Sequence, residues 1–118
     1  MYKNNNSFET FKSELELSDN DIEVFLLIVY NGMMTIDQIS YNTNLSLHET
    51  KVTLDSLLSK NMILEYSKNL YESFHPKFAI INRYKNLCIE RNMQFKKNMR
   101  IDNLGTVLTK PYDAARTK

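Results

Sequence analysis

Between Ser18 and Glu49 three helix-start signals follow one another closely, and a two-strand pattern comes directly after them. Ser18 precedes Asp21, Thr35 precedes Gln38, and Ser46 precedes Glu49. The last two are capping boxes, in which a hydroxyl and a Glu or Gln three residues on each satisfy a free backbone N–H of the other. Ser18 with Asp21 is a looser version. Caps this close together demand short helices joined by tight turns. Next, Ile63 to Tyr66 and Leu70 to Phe74 flank the polar turn Ser67-Lys68-Asn69 and read as a hairpin.

The periodicities agree. Residues 19–31 carry Ile22, Phe25, Leu26 and Val29 on one stripe, acids in the first turns and Asn31-Gly32 at the end. Residues 35–42 form a second helix with Ile36 and Ile39 inward, and Leu45 fills the angle before the third. That third helix, residues 46–60, turns Thr50, Leu54, Leu57 and Leu58 inward, and Asn61 suits its left-handed cap. Phe8, Phe11 and Leu15 predict a short packing helix within an N-terminal arm, residues 1–16, whose first six residues are polar and read as disordered. Pro76 suits the first turn of another helix. Residues 77–100 read as that helix, with a seam of Phe78, Ile81, Tyr84, Cys88 and Phe95. At 1.5 Å per residue it spans about 36 Å. That is too long for a 60-residue core, so the seam is expected to pair with a second copy. Residues 101–118 contain Gly105 and Pro111 and read as a flexible basic tail.

Taken together, the fold class expected is mainly α with a small β-hairpin. It is a winged helix-turn-helix over residues 17–76 plus a long C-terminal dimerisation helix. The third helix of that fold is the one that enters a DNA groove. From it His48, Glu49, Lys51 and Val52 face the major groove; Lys can donate to guanine, Glu can accept from cytosine, and Val can touch a thymine methyl. Thr35, Asn44 and Ser46 stand at helix starts and suit phosphates. Lys68 and Asn69 at the wing tip (residues 63–75), with Tyr71 beside them, suit the backbone or the minor groove.

Charge complicates this. The net +1 of the chain divides into −5 over residues 1–60 and +6 over residues 61–118. The basic footprint of nucleic-acid binding is therefore displaced toward the C-terminal half. A protein-interaction module of the same fold, which never touches bases, is the alternative. One cysteine excludes an internal disulfide or a Cys-based zinc site within one chain, and fits a reducing cytoplasm. His48 and His75 lie on different elements, so no metal is expected, and no cofactor. No nucleophile motif or phosphate loop suggests an enzyme. No apolar run reaches the ~20 residues of a membrane span, and the N-terminus lacks the apolar core of a signal peptide.

The residues Leu17-Ser18, Glu23-Val24-Phe25, Asn31-Gly32, Thr35-Ile36-Asp37-Gln38-Ile39-Ser40, and the run from Leu54 to Ile63, resemble the winged-helix domain of the TrmB-like archaeal transcriptional regulators. They also resemble the broader MarR-type winged helices. The resemblance covers residues 17 to about 90 and rests mostly on core and turn positions. Met33-Met34 stands where relatives have small residues or proline, Asn61 where they have glycine, and the recognition helix holds no arginine. What the resemblance implies is a homodimer on double-stranded DNA that blocks or recruits the transcription machinery. Relatives that bind sugars carry a further domain after the helix, which is not expected here.

Overall fold

The computed structural model describes residues 5–117, with side chains from residue 7. Of the polar start, residues 1–4 lie outside the described residues, and 5 and 6 already belong to a helix. That helix, α1 (Asn5–Leu15), buries Phe11 and Leu15 and packs Phe8 on the core. The arm therefore covers the core within its own chain.

α2 (Asp19–Asn31) opens on a full capping box: Ser18 Oγ accepts from the Asp21 N–H at 3.0 Å, and the Asp21 carboxylate accepts from the Ser18 N–H at 3.4 Å. Asp21 serves as well as Glu because its carboxylate is held from a second side. The Ser56 hydroxyl and the Lys60 ammonium each reach it at 3.3 Å. This ties the start of α2 to the end of α4 (Leu47–Ser59). Val24 and Leu27 are buried along with the predicted stripe. α2 is thus a central helix, packed on by its neighbours all round.

α3 (Ile36–Thr43) and α4 both start on the predicted capping boxes. Between them Asn44 takes the left-handed conformation, φ 60. Asn61 also has φ 60, and the Met62 N–H reaches the Leu57 carbonyl, as a left-handed helix cap requires. Thr50, Leu54 and Leu57 are buried as expected.

The hairpin gains a third strand. β1 (Met34–Thr35), β2 (Ile63–Ser67) and β3 (Leu70–Ser73) form an antiparallel sheet in the order β1-β3-β2. Met34 pairs with Tyr71 and Thr35 with Leu70. Two residues are too few to show alternation, so β1 exists because β3 offers it an edge.

The expected helix over residues 77–100 is corrected. α5 (Pro76–Glu90) stops at Arg91, because Asn92 adopts φ 52 and the Met93 N–H returns to the Cys88 carbonyl at 2.8 Å. This is the same left-handed asparagine stop as at Asn61. The mobile tail is corrected too: α6 (Met99–Arg116) is an eighteen-residue helix. Asn98 caps it, accepting from the Arg100 and Ile101 N–H groups, and Ile101, Leu104 and Leu108 are buried against α5 and α2. Pro111 lies inside it and costs one backbone bond, that to Val107, which is exposed to solvent.

This packing also revises the proposed seam. Cys88 is a buried free thiol, and Ile81 and Tyr84 pack on the core of their own chain. Only Phe78 and Phe95 remain outside, at 53% and 44% exposure. Phe95 leans on Tyr84, with their ring centres 5.8 Å apart.

The end of α6 is fastened by Arg116. Its guanidinium donates to the Ile28 carbonyl at 3.1 Å and the Val29 carbonyl at 2.8 Å, both at the C-terminus of α2. It pairs with the Glu72 carboxylate of β3, donates to the Ser73 hydroxyl, and lies 3.7 Å from the centre of the Tyr112 ring. A cation suits the negative end of a helix, and five fixed donors suit this many acceptors. Near α1, Arg83 is likewise buried and donates to the Leu15 carbonyl at 2.9 Å. Burial pushes its pKa down, against the opposing pull of Glu90 and Asp21.

Candidate nucleic-acid interface

The surface predicted to read bases is the outer face of α4. His48, Lys51, Val52 and Asp55 are exposed there, as is Leu47 in the first turn. This follows from the helix itself: with Thr50, Leu54 and Leu57 turned inward, the positions between them have nowhere else to go.

Most of the predicted site residues have other partners. Glu49 completes the Ser46 box, its carboxylate accepting from the Ser46 N–H at 3.1 Å and its own N–H donating to Ser46 Oγ at 3.0 Å. The Ser46 backbone N–H above all, then the Ser46 hydroxyl, hold the Glu49 carboxyl below its usual range, with the neighbouring His48 adding to the effect. An ionised carboxylate thus sits at the first turn of α4, where a phosphate would have to come. Thr35 makes the equivalent box with a neutral partner: its Oγ1 accepts from the Gln38 N–H at 3.2 Å, and Gln38 Oε1 accepts from the Thr35 N–H at 2.9 Å.

Lys51 Nζ stands 3.4 Å from the Tyr71 hydroxyl and 3.4 Å from the Asp55 carboxylate. The Tyr71 hydroxyl first, and Asp55 second, raise its pKa. Tyr71 is a correction: it is wholly buried, at 0% exposure, and presents no ring to a ligand. Strand alternation is the reason. Tyr71 pairs with Met34 on one side and Glu65 on the other, and its ring points into the core.

The wing tip is exposed. Lys68 has no ion-pair partner among the described residues. Asn69 takes φ 60, its N–H donating to the Glu65 carboxylate and its carbonyl accepting from the Ile36 N–H at 3.0 Å. The wing tip is therefore bonded to the start of α3. The fold brings together Thr35, Asn69 and, through Tyr71, Lys51; Asn44 lies apart in the α3–α4 turn.

Besides Leu47, two exposed tyrosines carry no functional mark in the sequence pattern. Tyr66, 65% exposed, sits at the irregularity in the β2–β3 register, which displaces it from regular pairing. Tyr41 on α3 is 85% exposed. The only signal for either was an aromatic residue outside the apolar period. Among the described residues no group of His, Cys, Asp and Glu converges in a way that could hold a metal ion, and no helix is long and apolar enough to cross a membrane. The chain matches no protein-family model, no curated protein and no solved structure.

Proposed function

We propose that this chain is a winged-helix regulator of transcription of TrmB-like type, cytoplasmic, that binds double-stranded DNA as a homodimer. The observation that carries the reading is the exposed outer face of α4, held next to a hairpin whose tip lysine has no ion-pair partner among the described residues. The helices α2, α3 and α4 and the sheet order β1-β3-β2 are compatible with a winged helix. In this reading His48, Lys51 and Val52 enter the major groove and Lys68 neutralises a phosphate. Lys51 exchanges Asp55 for a base or phosphate, so its contribution is a difference between two partners.

Titration with a specific and a random duplex tests this. Lys68→Ala is expected to weaken both alike and to flatten the log–log salt dependence by about 0.9. Lys51→Ala is expected to cost about 1–3 kcal/mol on the specific site and much less on random DNA. No loss on either duplex sinks the reading.

Glu49 makes a further check. Glu49→Gln keeps an amide oxygen to close the box, as Gln38 does at α3, but removes the charge. Binding to any duplex is expected to tighten severalfold at low salt, with a modest fall in the thermal midpoint, because the ionised carboxylate is the form the Ser46 box favours. Weaker binding would make Glu49 a base contact after all.

The dimer in this proposal uses the part of α5 and its connector still open, around Phe78 and Phe95. Sedimentation at micromolar concentration is expected to give a dimer for the native chain and a monomer for Phe78→Asp. A monomeric native chain removes the dimer.

The alternative, a protein-interaction module, is favoured by one feature. Exposed Tyr41, Leu47 and Val52 lie on α3 and α4 among the acids Asp37, Glu49 and Asp55. Absence of duplex binding at low salt selects it.

A further inference from the structure

The crossing of α5 and α6 leaves a cleft of about 320 Å³, lined by Lys77, Ile81, Ile101, Asp102, Gly105 and Thr106. Gly105 in its lining lets α5 approach α6 closely. A Cβ there would lie 2.8 Å from Lys77 Cγ and 3.0 Å from Lys77 Cα. The stem of Lys77 therefore runs across Gly105, at the edge of the cleft.

Asp102 lies in the first turn of α6, where the helix dipole favours an acid, yet its charge is not paired across the cleft. Neither Lys77 nor Asp102 has an ion-pair partner among the described residues. Lys77 lies in the first turn of α5, where the helix dipole disfavours a cation, so helix stability does not explain it. The Thr106 hydroxyl donates to the Asp102 carbonyl at 3.1 Å, which leaves its oxygen free to accept. Ile81 and Ile101 supply the apolar walls.

An ammonium, a carboxylate, an accepting hydroxyl and two branched aliphatic walls in one small cleft have a complementary ligand. We infer that the α5–α6 cleft binds a free α-amino acid with an aliphatic side chain. Lys77 takes its carboxylate, Asp102 and Thr106 take its ammonium, and Ile81 and Ile101 hold its side chain. The volume is at the small end of ligand clefts, roughly 300–1,000 Å³, which suits a molecule of this size and not a nucleotide. A ligand touching both helices stabilises the folded chain by mass action.

This site does not depend on whether α4 reads DNA, and its test uses no DNA. The full chain is titrated with L-leucine into the millimolar range and followed by two-dimensional amide NMR spectra. Saturable shifts are expected at Lys77, Ile101, Gly105 and Thr106, together with a higher thermal midpoint. Leucinamide lacks the carboxylate and N-acetyl-leucine lacks the ammonium; each is expected to bind at least about tenfold more weakly. Asp102→Asn changes a half-buried group isosterically and Lys77→Met an exposed one, so both are expected to keep native spectra elsewhere while losing affinity by about the same factor. The inference is overturned by an absence of saturable shifts with leucine. It is equally overturned if the two blocked compounds bind as tightly as leucine, or if both variants retain full affinity.

Discussion

Ending the chain after residue 98 is expected to abolish cooperative folding. The cut removes α6 alone, the part of the sequence with the weakest claim to structure by composition. It takes Ile101, Leu104 and Leu108 out of the core, and it uncovers the faces of α5 and α2 on which they lie. Each such side chain contributes about 1.5–3 kcal/mol by burial. Together these terms are comparable to the ~5–15 kcal/mol by which whole domains are stable. The shortened chain should keep helical circular dichroism, lose its near-ultraviolet signal and bind a hydrophobic dye, as a loosely packed state does. A fragment that unfolds cooperatively at the native midpoint would show α6 to be an appendage.

Arg116→Ala should be the most damaging single substitution among the charged residues. The change leaves the Glu72 carboxylate, whose side chain is 18% exposed, without its counter-charge and with only the Ser73 N–H, and it takes a donor from two carbonyls at the end of α2, of which Ile28 keeps the Gly32 N–H. Removing one partner of a buried pair costs about 3–5 kcal/mol; the residual exposure here argues for the lower end. Arg116→Lys should recover little, because an ammonium cannot reach carbonyls, carboxylate and hydroxyl together. Glu72→Gln should cost less than Arg116→Ala, since the guanidinium keeps the α2 carbonyls. Urea unfolding of the three variants, at unchanged slope, is the measurement. Equal midpoints for native chain and Arg116→Ala would make the cluster a surface contact. A cost confined to about 0.5 kcal/mol would say the same.

What the sequence determined by itself is local. The boxes at Thr35 and Ser46, the left-handed cap at Asn61, the start at Pro76 and the inward stripe of α4 were all legible, because each depends on residues within one or two turns of each other. The cap at Asn92 was legible on the same terms; an apolar seam running past it to Phe95 concealed the stop. The stripe Ile101, Leu104, Leu108 and Tyr112 was also present, behind Gly105 and Pro111, which read as breakers. Tertiary structure overrode them. Gly105 is used for the close approach of Lys77, and Pro111 is tolerated where one lost bond faces water.

The candidate site divides in the same way. That His48, Lys51 and Val52 face outward follows from helical period. That Lys51 meets Tyr71, twenty residues on, follows from the fold. So does the burial of Tyr71, because a strand of four residues has too few alternations to say which face is inside until β1 closes its open edge. Arg116 is the plainest case. In the sequence it is one more charge in a basic tail; in the structure it closes α2 and holds β3, because its partners lie 44, 87 and 88 residues away and only packing of the whole chain brings them together.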